Sequence, residues 1–230
     1  MPSHPESLYD LLATLFQVHP WHGVPADAGA DGVFNAYIEL VPADTVKYEL
    51  DKAAGHLRLD RPQRFSSQCP TPYGFIPRTL CGPQVGERCT QRTGEAGIAG
   101  DGDPMDICVL TERTILHGNF LLHARPIGGL RMIDGGQADD KIVAVLEQDL
   151  TYGGLRDIAE CPRGIVDRLH HYFLTYKQQP DQTERKVRIA EVYDRAEALE
   201  MIRRSRADYL AHVGSPESRL EAVRRHLSAV

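Results

Sequence analysis

Apolar and polar residues alternate along the middle of the chain with the period of two that is typical of half-buried strands. The segments that show this alternation, or a short apolar run, are residues 33–41, 46–50, 56–60, 107–110, 119–126, 129–133 and 142–146. Residues 51–55 (Asp-Lys-Ala-Ala-Gly) predict a turn between the second and third of these segments. The middle of the chain is therefore predicted to be rich in β-structure.

Apolar residues recur at helical spacing towards both ends of the chain, which predicts amphipathic helices. The predicted helices are residues 7–18, 162–178, 194–210 and 216–227, and everything after residue 162 is expected to be helical. Residues 21–32 and the glycine-rich residues 80–100 are predicted to be loops. A length of 230 residues suits one domain, or two small ones. The pattern predicts an α+β, β-rich protein with a helical end.

Composition narrows the class of protein. Hydrophobic residues make up 42% and charged residues 25% of the chain, as in ordinary globular proteins. The net charge of −6 argues against a nucleic-acid binder. The sequence shows neither a signal peptide nor an apolar run near membrane-spanning length, so we expect no membrane partner and a cytoplasmic location. The five cysteines form no Cys-x-x-Cys pair and are expected to be reduced thiols.

Three carboxylates fall within the six residues Asp101-Gly-Asp103-Pro104-Met105-Asp106. Pro104 favours an extended conformation at Asp103, so Asp101 and Asp103 project to one side of the chain. Carboxylates this close repel one another, and hard divalent cations such as Mg²⁺ or Mn²⁺ fit an oxygen-only site of this kind. A solvated acidic turn explains the same residues. An EF-hand does not, because Met105 and Asp106 stand where that loop needs an acidic or amide residue and then a glycine.

A second acidic cluster, Asp134 with Asp139 and Asp140, lies on a loop that leads into residues 142–146. Its alternative is a simple hairpin turn, because Asp-Gly-Gly is good turn chemistry. Two carboxylate clusters with separate Lys, Arg and Tyr residues suit hydrolysis of a phosphate by a metal-activated water. The chain has neither a Walker loop nor a Gly-x-Ser-x-Gly motif, so a P-loop NTPase is excluded and no covalent nucleophile is indicated.

The chain resembles the soluble family I inorganic pyrophosphatases. Residues 101–110 match the family signature Asp-Gly-Asp-Pro-x-Asp with its apolar continuation, and other blocks follow in family order. Those blocks hold Glu39, Lys47-Tyr-Glu49, Asp60-Arg61, Tyr73-Gly-Phe-Ile, Arg125-Pro-Ile-Gly, Asp134, Asp139-Asp-Lys141 and Tyr176-Lys177. The resemblance implies a closed, OB-like five-stranded β-barrel with helices packed outside. It places the catalytic barrel and helix at residues 33–180, an insert at 81–100 and helical extensions at 1–32 and 190–230.

The resemblance also implies metal ligands. Asp101, Asp106 and Asp139 match the ligands of the tightest metal ion, and Asp106 also serves a second ion. Asp134, Asp139 and Glu39 match ligands of the Mg²⁺ ions that arrive with substrate. Mn²⁺ is an alternative to Mg²⁺ as cofactor.

Catalytic and substrate-binding roles follow from the same resemblance. Asp103 matches the carboxylate that orients the attacking water and takes its proton, and Tyr73, Lys47 and Arg61 are expected to share in catalysis. Arg125 is a weaker match to a phosphate-binding residue. The chain departs from the family pattern at two positions. Cys69 stands where many members carry a tyrosine, and Gly135 stands where many carry another acid. The implied phosphate-binding set is Lys47, Arg61, Tyr73, Lys141, Tyr176 and Lys177.

The function that the resemblance implies is Mg²⁺-dependent hydrolysis of inorganic pyrophosphate to two phosphates, by a homo-oligomer. Two other functions stay open on the residues alone. A metal-dependent phosphatase for nucleotides or organic diphosphates would need an apolar or base-stacking pocket, and no aromatic-rich stretch adjoins the acidic motifs. A non-catalytic OB-like module that binds nucleic acid or Ca²⁺ is the other candidate, although the acidic composition weighs against it.

Overall fold

The computed structural model describes residues 17–179, 181 and 186–228. The helix predicted at residues 7–18 lies outside them except for its last two residues. The strands are β1 (Phe34–Leu40), β2 (Val46–Leu50), β3 (Leu57–Pro62), β4 (Tyr73–Phe75), β5 (Ala99–Gly100), β6 (Asp106–Leu110), β7 (Phe120–Asp134), β8 (Gln137–Ala138), β9 (Lys141–Leu146) and β10 (Val187–Asp194). The helices are α1 (Pro83–Thr93), α2 (Arg163–Thr175), α3 (Arg195–Val213) and α4 (Pro216–Leu227), with a 3-10 turn at Ile158–Glu160.

Five strands form a ring. β1 pairs with both β4 and β7, β4 pairs with β6, β6 runs parallel to β9, and β9 returns to β7. β8 and β10 pair with β7, β5 pairs with β8, and β2 and β3 form a separate two-stranded sheet. The predicted α+β, sheet-dominated fold is confirmed. The strands predicted at 33–41, 46–50, 56–60 and 142–146 shift by no more than two residues.

β6 is buried on both faces, which explains its unbroken apolar run. Successive side chains point to opposite faces, so Ile107 joins one core cluster and Cys108 the other. α3 packs on the first cluster through Met201, and α2 packs on the second through Phe173. This two-sided burial fixes the end of β6 at which Asp106 stands.

β7 is a single strand of 15 residues, where the sequence pattern predicted two. The pairing of β7 with β9 shifts register between Pro126 and Gly128. Proline lacks the N–H that a ladder requires, so it occupies a bulge and the strand continues beyond it. The break seen in the sequence is therefore a bulge and does not end the strand.

The prediction of a loop at residues 80–100 is wrong, because α1 occupies Pro83–Thr93. A proline in the first turn and a C-cap glycine with φ of 74° bound the helix. Its apolar face is narrow, with Val85 and Cys89 buried. The Asp208 side chain on α3 caps the first turn, accepting from the amides of Gln84 at 3.0 Å and Val85 at 3.1 Å. No local pattern reveals a cap that comes from so far along the chain.

The expectation that everything after residue 162 is helical is also wrong, because β10 lies between two helices. β10 pairs antiparallel with β7, and its register shifts between Ile189 and Glu191. The bulge interrupts the alternation of apolar and polar residues that marks a strand. Gly129 on β7 leaves room for this pairing, because a Cβ there would lie 2.4 Å from the Tyr193 ring.

The remaining helices agree with the sequence pattern. α2, α3 and α4 match the helices predicted at residues 162–178, 194–210 and 216–227 to within three residues at each end. All five cysteines are free, as expected of reduced thiols. In the part of the chain that the structure describes, no helix is long and apolar enough to cross a membrane.

Candidate active site

The acidic segment before β6 is fixed by its own backbone. The amide of Asp103 donates to Asp101 Oδ1 at 2.9 Å, and the amide of Gly102 donates to the Cys81 carbonyl at 2.9 Å. The Cys81 amide in turn donates to the Asp103 carbonyl at 2.7 Å. A Cβ at Gly100 would lie 2.1 Å from the Cys81 carbonyl oxygen, so this approach requires glycine. These bonds hold Asp101 and Asp103 at the entrance of β6.

The parallel pairing of β6 with β9 brings the two acidic clusters together. Asp106 and Lys141 are register partners at the starts of these strands. The Lys141 ammonium is buried and forms ion pairs with both Asp106 and Asp139. The Tyr73 hydroxyl on β4 donates to Asp106 Oδ2. The adjoining starts of β6 and β9 thus hold a lysine between two aspartates, with a tyrosine beside them.

The hairpin of β2 and β3, here called the arm, adds the cations Lys47 and Arg61 to the site. Lys47 Nζ lies 3.2 Å from Glu49 Oε2 and 3.6 Å from Asp60 Oδ2. Arg61 also pairs with Asp60. The register opposes Lys47 to Arg61, so both side chains come from one point of the arm.

The last two parts of the site come from β1 and from the end of α2. Glu39 on β1 is buried, and its Oε1 accepts from the Leu50 amide at 2.6 Å, which fixes the arm to the ring. Tyr176 follows α2 at its C-cap, and Lys177 beyond it pairs with Asp134 at the end of β7. The groups of the site are therefore held by several different elements.

Apart from Asp60, the charged and tyrosine side chains described above line one cleft of about 320 Å³. The sequence-predicted residues that it brings together are Glu39, Lys47, Arg61, Tyr73, Asp101, Asp103, Asp106, Asp134, Asp139, Lys141, Tyr176 and Lys177. Glu49, whose family position is also matched, lines the cleft as well. Arg125 is held elsewhere, because its guanidinium donates to the carbonyl oxygen of Gly153.

Sequence reasoning missed two polar residues of the cleft, Lys52 and Gln137. Lys52 stands in the predicted turn at residues 51–55, where turn chemistry accounts for the local sequence. Gln137 is half of the two-residue strand β8. Only the fold brings these residues to the cleft, because nothing in their sequence neighbourhood distinguishes them from surface residues.

The charged forms of two carboxyl groups in the cleft are destabilised, as their raised pKa values show. Burial, with Asp106 and Glu49 nearby, raises the pKa of Glu39 to about 8. Burial and the Asp139 carboxylate raise the pKa of Asp101 to about 8. Burial lowers the pKa of Lys141, but Asp106 and Asp139 outweigh it and hold that pKa well above its usual value. The site is therefore built to take additional positive charge.

The donor set fits divalent metal ions by its chemistry, since its acidic groups are all carboxylates and hard cations prefer oxygen ligands. Within the described residues, no three Asp, Glu, His or Cys side chains already form a metal-binding group. Lys141 pairs with Asp106 and Asp139, and Lys177 pairs with Asp134. Each of these ion pairs uses one oxygen of its carboxylate, which leaves a second oxygen that a cation can bind.

A sheet-dominated α+β fold with carboxylates, ammonium groups and tyrosines around one small polar cleft defines a class, the hydrolases of small, highly charged phosphate compounds. A family model described as inorganic pyrophosphatase matches residues 36–210. The chain belongs to the inorganic pyrophosphatase family and is a hydrolase of that class.

Individual relatives agree with the family match. An inorganic pyrophosphatase of Chlamydia muridarum is 50% identical over 196 residues, covering 84% of this chain and 94% of the relative. A soluble inorganic pyrophosphatase of Oryza sativa subsp. indica is 38% identical over 195 residues, covering 85% and 81%. The crystal structure of inorganic pyrophosphatase from Thermus thermophilus superposes with a TM-score of 0.69 at 30% identity, covering 84% of this chain and 99% of that one.

Proposed function

We propose that this protein hydrolyses inorganic pyrophosphate to two phosphates in a Mg²⁺-dependent reaction, with Mn²⁺ as an alternative metal. The observation that carries the proposal is the convergence of all twelve predicted site residues on one cleft. Those residues come from separate positions along the chain, so a set of solvated turns would not be expected to bring them together. The family match supports pyrophosphate as the substrate.

The proposed metal ligands are the carboxylates on the ring side of the cleft. Asp101, Asp106 and Asp139 would hold the tightest ion, with Asp106 shared by a second, and Asp134 and Glu39 would join Asp139 for ions that enter with substrate. Bound Mg²⁺ lowers the pKa of water and neutralises phosphate charge. The raised pKa values of Glu39 and Asp101 support this assignment, because a nearby cation favours the charged carboxylates.

The other side chains would orient water and bind phosphate. Asp103 would orient the attacking water and accept its proton. Lys47 and Arg61 on the arm would bind one end of pyrophosphate. Tyr73 would act beside them, with its hydroxyl next to Asp106, to which it donates a hydrogen bond. Cations that stabilise the leaving phosphate lower the barrier for phosphoryl transfer. The further phosphate-binding residues are Lys141, Tyr176 and Lys177.

We further infer that the ring of five strands is a closed, OB-like barrel and that the chain is one pyrophosphatase domain. The continuous pairing around β1, β4, β6, β9 and β7 supports the barrel. A homo-oligomer in the cytoplasm is the assembly and location that the family resemblance favours. Light scattering after size-exclusion chromatography measures the assembly, and a mass equal to one chain would contradict it.

The function is tested by phosphate release from pyrophosphate, ATP and a nucleoside diphosphate, each with Mg²⁺, Mn²⁺ or excess EDTA. We expect fast release from pyrophosphate in Mg²⁺, little from the nucleotides, and loss of activity in EDTA that added Mg²⁺ restores. Equal or faster turnover of nucleotides would favour the broader phosphatase. Retention of a single-stranded oligonucleotide on a gel, together with no phosphate release, would favour the binding module.

A further inference from the structure

Lys52 lies at the tip of the arm and lines the cleft. It is neither a proposed metal ligand nor a proposed phosphate-binding residue. Its ammonium group pairs with Oδ1 of Asp103, and both side chains are partly exposed. A carboxylate has a second oxygen, so this bond leaves Asp103 able to accept from water.

The tip of the arm is a well-braced turn. Asp51 Oδ1 accepts from the amides of Ala53 at 3.1 Å and Ala54 at 2.8 Å. The Gly55 amide donates to the Asp51 carbonyl at 2.8 Å, and Gly55 has a φ of 73°. Because these bonds close the turn on itself, the backbone from which Lys52 projects is restrained.

A histidine from outside the arm also holds the tip. His19 Nδ1 accepts from the amides of Trp21 at 3.2 Å and His22 at 3.3 Å, so the proton of the neutral ring lies on Nε2. His19 Nε2 donates to the Lys52 carbonyl at 3.1 Å. A Cβ on Gly55 would lie 2.7 Å from His19 Cδ2, so the ring packs directly on the turn. His19 precedes residues 36–210, which the family model matches.

We infer that Lys52 is a positioning residue that holds the Asp103 carboxylate in the orientation that accepts from water. The arm has its own two-stranded sheet and a braced tip, so the point from which the Lys52 side chain projects is fixed. A carboxylate on a loop can rotate, and small errors in the position of a reacting group are costly in rate. The inference rests on the proposed function, because it acts through the role proposed there for Asp103.

The kinetic test compares Lys52→Gln, Lys52→Arg and Arg58→Gln in the full chain. Lys52→Gln should lower kcat about 10- to 100-fold with little change in KM, and Lys52→Arg should restore part of kcat. Arg58→Gln removes the same charge from an exposed part of the arm and should leave kcat unchanged. A loss confined to KM would overturn the inference, because Lys52 would then bind substrate.

A double-mutant cycle separates positioning from a general structural effect. In an Asp103→Asn background, Lys52→Gln should cause little further loss of kcat, because its effect passes through that carboxylate. An equal fold-loss in both backgrounds would overturn the inference.

A third measurement does not depend on activity. The side-chain ammonium signal of Lys52 in ¹⁵N NMR spectra, assigned by its absence in Lys52→Gln, should shift in Asp103→Asn and stay in place in Arg58→Gln. An unchanged signal in Asp103→Asn would show that the pair does not exist and would overturn the inference. If the wild-type protein released no phosphate, the proposed function would fail while this measurement still decided on the ion pair.

Discussion

Several acidic residues of the cleft are paired with lysines. Lys141 pairs with Asp106 and Asp139, Lys177 pairs with Asp134, and Lys52 pairs with Asp103. Buried carboxylates are strongly destabilised without such partners. A metal ion on Asp106, Asp139 or Asp134 should weaken the ion pair of that carboxylate with lysine, because both cations share its negative charge. Asp103 is not a proposed ligand and should keep its pair with Lys52. Substitutions among these residues should therefore separate the binding of metal from turnover.

Asp103 is the residue proposed to accept the proton of the attacking water. Asp103→Asn should lower kcat by about 10²- to 10⁴-fold, the usual contribution of a general base. Its Mg²⁺ affinity, measured by calorimetry, should change much less, because Asp103 is proposed to orient water and is not among the proposed ligands. Full kcat in Mg²⁺ would contradict the general-base role.

Asp106 should respond differently. Asp106→Ala should be inactive at every Mg²⁺ concentration tested, because one carboxylate is proposed to serve two ions and also pairs with Lys141. The measurement is phosphate release across a Mg²⁺ titration. Asp167→Ala on the exposed side of α2 is the matched control and should keep full activity. If high Mg²⁺ restored turnover to Asp106→Ala, the residue would be a ligand of one ion only.

At the scale of elements, α1 and α3 support the acidic segment. Gly86 on α1 packs against residues 98–100, and a Cβ there would lie 2.7 Å from the Ile98 carbonyl oxygen. α1 itself depends on α3, since Asp208 caps its first turn. The position of the acidic segment therefore depends on a contact between two helices.

Asp208→Ala tests this dependence. The free energy of unfolding should fall by about 1–3 kcal/mol, because the buried amides of Gly82 and Val85 and the partly buried amide of Gln84 would lose their acceptor. Urea denaturation measures the change. Asp208→Asn keeps one acceptor oxygen and should cost less, and an equal loss in both variants would contradict the capping role.

Glu200 on α3 should make a contribution to the free energy of unfolding that depends on pH. Hydrogen bonds from Arg203 and Arg204, at 2.7 Å each, lower the pKa of Glu200 to about 2. The unfolded chain, with a glutamate pKa near 4.3, binds the proton first as the pH falls. This contribution is therefore full above about pH 5 and is lost between about pH 4.5 and 2.

Glu200→Gln provides the measurement. The variant should be less stable than wild type by on the order of 1 kcal/mol or less at pH 6, since the ion pairs are partly exposed. The difference should shrink at pH 3. Urea denaturation at the two pH values checks it, with Glu221→Gln on α4 as a control. A difference of equal size at both pH values would contradict the assignment.

For the whole molecule, local signals explain what the sequence could predict. Asp101, Asp103 and Asp106 lie within six residues, and the ring strands carry their apolar patterns in their own sequences. α1 depends on Asp208, more than a hundred residues further along the chain, and β10 is interrupted by a bulge. Lys52 reaches the cleft only because the arm folds over it. What could not be predicted depends on the tertiary structure, and the neighbouring residues in the sequence do not reveal it.

One buried arginine connects the outer elements to the ring. Arg131 on β7 is fully buried and pairs with Asp140 at 3.3 Å, before β9, and with Glu191 on β10 at 3.1 Å. It also pairs with Glu197 on α3. A buried charge with three partners is stable only while the set is complete, because any carboxylate left alone loses solvation without compensation. Arg131 therefore joins β10 and α3 to the sheet that carries the cleft.

Arg131→Met should be strongly destabilising for this reason. Methionine fills a similar volume but leaves buried Asp140 without its ion-pair partner, while Glu197 keeps only Arg88. We therefore expect a loss of about 3–5 kcal/mol in the free energy of unfolding. Arg188 lies on β10 of the same sheet, and Arg188→Met removes its exposed pair with Glu95, which should cost less than about 1 kcal/mol. Urea denaturation of both variants provides the comparison. Equal small losses would mean that the carboxylates paired with Arg131 are neutral or hydrated. The apolar contacts of α3 would then suffice to hold this helix to the sheet.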